Sequence, residues 1–535
     1  MTKYIFITGG VVSSIGKGIT AASIGRILKS RGLRVSIQKH DPYLNVDAGT
    51  MSPFQHGEAF VTEDGAETDL DLGHYERFIN INLSRNNSVT TGKVYNSVIS
   101  KERHGDYLGK TVQIIPHITD EIKDNIKSLN KSKDKPLDVI IVEIGGTVGD
   151  IESLPFLEAI RQFRNDIGKE NVLYAHVSFF PYLKAAREIK SKPTQHSIKE
   201  LRGIGIQPDL LICRSQSRLT ETVKDKISLF CDIPRDGIIE IGDVDSIYEV
   251  PIVLEEQKLG DLLVKKLNLP SKKPDLQKWR DMVKRLYHPE RQTTIAVIGK
   301  YIRLKDAYMS INEALVHSGI HHNCKINIKK IDADFLLKQG VRDLLRGVNG
   351  ILIPGGFGIR GIEGKIQAVK YARTNNIPFM GICLGMQCAL IEIARNKIGL
   401  HEANSTEFNT ETPYPILDLM EKQKKINDKG GTMRLGNYDC NLIKGTKAYH
   451  IYKKELIQER HRHRYEFNND FLEKFQQSDI IFSGINLENN LVEIFELKNH
   501  PWFIGMQFHP EFKSRPNYPH PMFVSFIGEA IKNTN

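Results

Sequence analysis

Cys383 stands in Pro378-Phe-Met-Gly381-Ile-Cys383-Leu-Gly385-Met-Gln387, with a glycine two residues away on either side. A G-x-nucleophile-x-G spacing between a strand and a helix makes a sharp turn. It presents the side chain at the sheet edge and aims the next backbone N–H at a developing oxyanion. At an ordinary pKa near 8.5 only about 3% of a thiol is ionised at pH 7, so this nucleophile needs a base and a helix N-terminus. Gln507-Phe-His509-Pro510-Glu511-Phe supplies the base. Pro510 pushes His509 toward extended backbone, and alternation then places Glu511 on the same side. Cys383 attacks, His509 moves the proton, and Glu511 fixes the imidazole tautomer and stabilises its charged form. Taken singly, Cys383 also fits a buried core thiol and His509 a structural histidine; the elbow is what joins them. Cys388, one helical turn on, reads as packing. In Pro354-Gly355-Gly356-Phe-Gly358-Ile-Arg360-Gly361, the Gly356 N–H is a second oxyanion donor, against the plain reading of a loop turn. Arg460-His-Arg-His-Arg464 alternates, so on a strand its three arginines share one face suited to a carboxylate or phosphate.

A second constellation lies at the other end of the chain. Gly9-Gly10-Val-Val-Ser13-Ser14-Ile15-Gly16-Lys17-Gly18-Ile19-Thr20 joins a first strand to a first helix, where backbone N–H groups and the helix dipole favour an anion such as a triphosphate. Lys17 supplies a point charge, and Ser13, Ser14 and Thr20 offer hydroxyls to phosphate or metal. A strict Walker A pattern asks for glycine at Val11 and Ser or Thr at Gly18, so the plain motif fails twice. Residues 63–76 carry six carboxylates, with Asp69 and Asp71 on one face if the segment is extended; a half-exposed strand with Leu70 and Leu72 inward is the plainer reading. Glu143 ends an apolar strand before Gly-Gly-Thr-Val-Gly-Asp, where a carboxylate commonly holds Mg²⁺ on a nucleotide. Asp71 and Glu143 are the metal candidates.

These groups need strand ends to hold them. Short apolar strands at 4–8, 34–38 and 138–143 alternate with helical stretches, then the pattern restarts after a proline-marked linker at 268–292 with strands near 294–298, 350–354, 378–383 and 502–508. This predicts an α/β protein of two doubly wound parallel-sheet domains, 1–267 and 293–535, with ligands at the carboxyl ends of the strands. The 535 residues carry a net charge of +10, without a dominant basic tail, which argues against a dedicated nucleic-acid binder. The lysine-rich stretches 127–135 and 422–429 read as solvated loops. Six scattered cysteines form no disulfide framework or metal spacing and fit a reducing cytosol. No apolar run reaches the roughly 20 residues that span a bilayer, and no signal-peptide pattern opens the chain, so a cytoplasmic location without membrane is expected.

Together the motifs resemble the CTP synthase family, glutamine-dependent amidoligases, over essentially the whole chain. The imperfect Walker loop, 41–47, 52–57, 64–77, 143–161 and 192–196 are similar to its synthetase signatures. Segments 381–387, 404–408, 430–436, 460–466 and 508–512 resemble its class I glutaminase domain. The resemblance implies that ATP phosphorylates O4 of UTP while ammonia released from L-glutamine attacks C4. It places Ser14, Ile15, Gly16, Lys17, Gly18, Ile19, Lys39, Asp71, Glu143, Asp243 and Val244 at ATP and Mg²⁺. It places Ser13, Asp150, Ile151, Glu152, Lys190, Ser191, Lys192, Pro193, Thr194, Gln195 and Lys226 at UTP or inhibitory CTP, with 190–195 and Lys226 reaching across a subunit interface. Gly356, Leu384, Gly385, Met386, Gln387, Glu407 and Arg464 would hold glutamine. The same resemblance implies a homotetramer, feedback by CTP and activation by GTP, with Arg360 in the GTP response. A lysine-rich 417–430 and a histidine at position 40 set this chain apart from some relatives. Two other readings compete: an ATP-dependent synthetase amidating cofactor carboxylates, against which 190–196 argues, and a non-catalytic nucleotide switch, against which the intact Cys383, His509 and Glu511 argue.

Overall fold

The computed structural model describes residues 1–130, 135–419 and 433–534. The chain divides into two compact units, Met1–Asp47 with Asp71–Val283, and Ala48–Leu70 with Lys284–Asn535. This division differs from the expected domains of 1–267 and 293–535 at two places. The helix Gln277–Tyr287 spans the point of division and keeps Trp279 buried with the first unit, donating its indole N–H to Tyr248 O at 2.7 Å. Residues 48–70, read as part of the N-terminal domain, group with the second unit instead. The lysine-rich stretch 422–429 lies outside the described residues, as do 131–134.

The first unit is built on strands β1 (Lys3–Gly10), β2 (Val35–Asp41), β3 (Ser88–Thr90), β4 (Val139–Ile144), β5 (Val172–Phe180), β6 (Leu210–Ser215) and β7 (Ile238–Ile241). Their order is β7-β6-β5-β1-β4-β2-β3, and every pairing is parallel. Central strands buried on both faces explain the unbroken apolar runs Ile5-Phe6-Ile7 and Val139-Ile140-Ile141-Val142. Helix α1 (Lys17–Ser30) follows β1, and α2 (Asp71–Ile79) packs against α1, with Leu72, Tyr75, Phe78 and Ile79 all buried. Asp71 therefore opens a helix and is not on an extended strand with Asp69. Helix α3 (Lys192–Gly203) and helix α4 (Glu221–Cys231) complete the elements that carry predicted site residues.

In the second unit, β8 (Arg291–Gly299), β9 (Cys324–Asp332), β10 (Gly350–Ile353) and β11 (Phe379–Ile382) are joined by β12 (Arg434–Leu442), β13 (Leu456–His463), β14 (Ile480–Asn486), β15 (Leu491–Leu497) and β16 (Phe503–Met506). The order β9-β8-β10-β11-β16-β15-β14-β12-β13 is parallel from β9 to β16 and antiparallel beyond it. The expected parallel sheet is thus extended on one side into a mixed sheet, because β12 to β15 pair antiparallel with their neighbours. Helix α5 (Leu384–Ile393) begins at the residue after Cys383 and is buried throughout. Among the described residues, no helix is long and apolar enough to cross a membrane.

Candidate functional site

In the first unit the glycine loop leaves β1 and reaches α1 through Gly16 at φ 95°, with no side-chain cap on the helix. The N–H groups of the first turn are therefore available to an anion. Ser14 and Val11 also have positive φ, 55° and 80°. For the β-branched Val11 this is a strained backbone, at the position where the strict motif asks for glycine. The second departure has a steric reason. A Cβ at Gly18 would lie 2.2 Å from Asp71 Oδ1, so a side chain there would displace the carboxylate.

Register brings the charged groups together. Lys39 on β2 pairs with Glu143 on β4, and its ammonium bonds Glu143 at 2.9 Å as well as Asp71, with Asp41 at 3.8 Å. Tyr75 donates to the other Glu143 oxygen. Lys17 is buried and bonds Gly146 O; burial lowers its pKa, against the pull of Glu143. Among the described residues no three His, Cys, Asp or Glu side chains gather as a metal cage. Asp71 and Glu143, two carboxylates beside an anion loop, fit Mg²⁺, which is usually held by one or two carboxylates plus phosphate oxygens.

The remaining first-unit candidates are more scattered. Asp243 and Val244 follow the edge strand β7, and Asp243 stands 3.5 Å from the Arg214 guanidinium. Ser13 is exposed on the loop. Asp150 accepts from Thr147 N–H at 2.6 Å, and Ile151 and Glu152 lie on the exposed short turn that follows. Lys190 pairs with Glu188 beside a small hairpin; Ser191 accepts from Gln195 at 3.1 Å; Lys192 and Pro193 form the first turn of α3; and Thr194 reaches Ser178 on β5 at 2.7 Å. Lys226 is exposed on α4.

In the second unit the elbow takes the strained form its sequence requires. Cys383 has φ 51° and ψ −106°, and a Cβ on Gly381 would press on the Gly385 carbonyl carbon at 2.8 Å. The Cys383 N–H bonds Met506 O at 2.7 Å, so β16 anchors the turn. His509 leaves the end of the same strand; its ring and Cys383 Cβ both border Gly355. Its Nδ1 meets Glu511 Oε1 at 2.7 Å, and its Nε2 lies on the side of Cys383, beside Gly355. The two residues come together through a 3₁₀ turn, Pro510–Lys513, and not through the alternation of an extended strand. Burial opposes a charge on His509, but Glu511 and then Cys383 outweigh it and raise the ring to about 10. All three side chains are buried.

A cavity of about 370 Å³ adjoins them, lined by His509, Glu511, Gly356, Arg464 and Met51 among others. Glu407 accepts from Gly358 N–H at 2.6 Å, and burial raises its carboxyl. Gln387 bonds Tyr465 O at 3.1 Å, while Leu384, Gly385 and Met386 are buried in the first turn of α5. The three arginines do not act as one face. Arg460 donates to Val61 O at 3.0 Å and Arg462 to Glu67 Oε1 at 2.7 Å, whereas Arg464 lies beyond the end of β13. Sequence reasoning missed Gln507, whose amide points at Cys383 Sγ from 3.6 Å; its place two residues before His509 was the available signal. It also missed Gly49, Thr50 and Glu58 as cavity walls, because they sit far away in sequence.

Comparison with known proteins agrees with both halves. Residues 3–269 match the family model described as CTP synthase N-terminus, and 303–528 match glutamine amidotransferase class-I. A CTP synthase from Carboxydothermus hydrogenoformans is 59% identical over 532 residues, covering 99% of each chain. One from Caldanaerobacter subterraneus subsp. tengcongensis is 60% identical over 527 residues, 98% of each. The solved glutaminase domain of Trypanosoma brucei CTPS with bound acivicin is 37% identical, covers 45% of this chain and 94% of its own, and has a TM-score of 0.43.

Proposed function

This chain belongs to the CTP synthase family, and from that premise we propose that it aminates UTP to CTP with ATP as the driving co-substrate and glutamine as the nitrogen source. One observation carries the reading: the same chain holds a strained Cys383 backed by a His509–Glu511 pair and a glycine loop backed by Lys17, Lys39, Asp71 and Glu143. In the second unit the Cys383 sulfur attacks the glutamine carboxamide carbon, and the oxyanion meets the N–H groups of Leu384 and Gly356. His509 hands a proton to the departing ammonia, and water then releases glutamate. Gln387, Glu407 and Arg464 hold the amino-acid end of the substrate.

In the first unit the γ-phosphoryl group passes from ATP to O4 of UTP, ammonia adds at C4, and phosphate leaves with that oxygen. Ser14 to Ile19 and Lys17 cradle the phosphates, with Asp243 and Val244 toward the nucleoside. Asp71 and Glu143 would hold Mg²⁺, which when bound neutralises charge on the transferring phosphoryl group. Ser13, Asp150 to Glu152, Lys190 to Gln195 and Lys226 take UTP, or CTP as feedback inhibitor, across the interface of a homotetramer. GTP activates glutamine use through Arg360, and ammonia travels to the synthetase site without loss to water. The protein works in the cytoplasm.

The test is to supply UTP, ATP and Mg²⁺ with either glutamine or ammonium and to separate the nucleotides. Wild type is expected to make CTP from both sources and Cys383→Ala from ammonium alone. Glutamine hydrolysis without CTP from either source would remove UTP as the acceptor.

A further inference from the structure

Five buried side chains next to the glutaminase site close into a ring that the reaction above does not use. Arg434 at the start of β12 bonds Glu466 Oε1 at 3.2 Å with one guanidinium nitrogen and Glu493 Oε1 at 2.6 Å with the other. From Glu493, Oε2 faces His461 Nε2 at 3.6 Å; His461 Nδ1 bonds His463 Nε2 at 2.9 Å; and His463 Nδ1 faces Glu466 Oε1 at 3.5 Å. All five are buried. The titratable groups around them are Tyr438, with its ring 4.3 Å from the Arg434 guanidinium and edge-on to His461, Cys440 on the same strand, and His509. Phe508 packs edge-on against His461, with ring centroids 5.9 Å apart.

Counting protons around the ring leaves few choices. A neutral imidazole has one N–H and one bare nitrogen. The bond between the two histidines uses the N–H of one and the bare nitrogen of the other. Of the two outward nitrogens, one therefore carries a hydrogen and the other is bare; at 3.6 and 3.5 Å neither is hydrogen-bonded to the carboxyl it faces, so the neutral imidazoles offset no charge on the carboxyls. With both carboxyls ionised, the single Arg434 cation would leave one buried negative charge uncompensated. With both protonated, Arg434 would be a buried cation without a counter-charge. One proton, on Glu466 or on Glu493, leaves one carboxylate against Arg434 and makes the group of five neutral.

The ring also touches what holds the nucleophile and its base. His461 and His463 alternate on β13 with Arg460 and Arg462, whose carbonyls accept from His509 N–H at 2.8 Å and from the Cys383 thiol at 3.8 Å. The Glu493 carbonyl accepts from Gln507 N–H at 2.9 Å, and Glu466 follows Tyr465, whose carbonyl holds Gln387. We propose that Arg434, His461, His463, Glu466 and Glu493 are positioning residues that share one buried proton and so fix the backbone carbonyls that aim Cys383 and His509. Burial pushes both carboxyls up against the pull of Arg434 and keeps both imidazoles neutral, as the count requires.

The positioning role rests on Cys383 being the nucleophile, whereas the shared proton does not. The experiment uses the full-length protein, with iodoacetamide as probe. It reads the rate of Cys383 alkylation against pH by peptide mass spectrometry, and the C=O stretch of protonated carboxylic acids by infrared difference spectroscopy. Glu466→Gln and Glu493→Gln each replace the acid by a neutral donor and leave the other carboxylate for Arg434. Each is expected to slow alkylation by less than about threefold and to lose the protonated-acid band that wild type shows at neutral pH. The double variant strands Arg434 and should lose about tenfold or more, a non-additive effect. Arg434→Met added to that pair removes the stranded cation and should restore most of the rate, which keeps the test open if the double variant folds poorly. Absence of the wild-type band, single variants as damaging as the double, or an unaffected double variant would each overturn the ring. Failure of the nucleophile assignment shows separately, as glutamine-dependent CTP formation surviving in Cys383→Ala with the band unchanged.

Discussion

Gly18 is the residue at which a general motif and this chain part, and its neighbour explains why. Serine there would restore the strict Walker pattern, yet its Cβ would fall on the Asp71 carboxylate, which Lys39 also holds. Gly18→Ser is expected to lower ammonium-dependent CTP formation on the order of 100-fold, since displacing a catalytic group by about 1 Å costs that much, while glutamine hydrolysis in the second unit persists. Equal loss of both activities would show that the substitution unfolds the protein instead of moving Asp71. Cys383, His509 and Glu511 were legible in the sequence as a group because their marks are local, glycine spacing and two polar residues either side of a proline, although a 3₁₀ turn and not strand alternation brings the last two together. Asp71 was legible as a carboxylate but not in its setting. Its extended pairing with Asp69 competed with the helical spacing of Leu72, Tyr75, Phe78 and Ile79, and burial against α1 decided for the helix, with the acid at its favourable N-terminus.

At the scale of elements, β2 shows how a buried polar side chain ties stability to pH. His40 lies fully buried on this strand, edge-on to Phe156 with ring centroids 5.4 Å apart, and bonds Gln38 Oε1 through Nε2 at 2.8 Å. Burial lowers its pKa to about 3; burial, and after it Lys17, does the same for His176 on β5. A histidine depressed in the folded state binds its proton more readily when unfolded. The stability it allows is complete above pH 6.5 and is lost as pH falls from there toward 3, by about 1.4 kcal/mol for each pH unit crossed. His40→Leu leaves the buried Gln38 Oε1 without this partner and should lower stability at pH 8 by about 1–3 kcal/mol, yet make the fall in stability below pH 6.5 shallower, followed by urea unfolding read by circular dichroism at intervals from pH 8 to pH 4. An unchanged slope with pH would mean that other groups govern acid unfolding. The central parallel strands β1 and β4 were readable from their apolar runs, whereas the three-residue β3, Ser88–Thr90, was not. The antiparallel half of the second sheet was not either, because its strands bury polar side chains, such as Arg434, Glu493 and the neutral His461, where apolar periodicity would have marked a strand.

For the whole molecule the unexpected feature is a loan of chain: residues 48–70 lie in the N-terminal sequence and fold with the C-terminal unit. Nothing local announces this, because the reasons are pairings hundreds of residues apart. Glu58 accepts from Ser310 N–H at 2.9 Å, Arg460 donates to Val61 O, and the buried Glu67 binds Arg462 at 2.7 Å. The chain holds two tryptophans, buried Trp279 in the first unit and buried Trp502 in the second, so each unit carries its own fluorescent reporter. Removing one partner of a buried ion pair leaves the other uncompensated and costs about 3–5 kcal/mol. Glu67→Ala is accordingly expected to lower the unfolding transition seen by Trp502, in a Trp279→Phe background, by several degrees. The transition seen by Trp279, in a Trp502→Phe background, should stay in place, because the residue changed belongs to the other unit despite its number. A shift in the Trp279 signal alone would return residues 48–70 to the N-terminal unit. Equal shifts in both would show that the two units unfold as one cooperative body, in which a substitution in either is felt throughout.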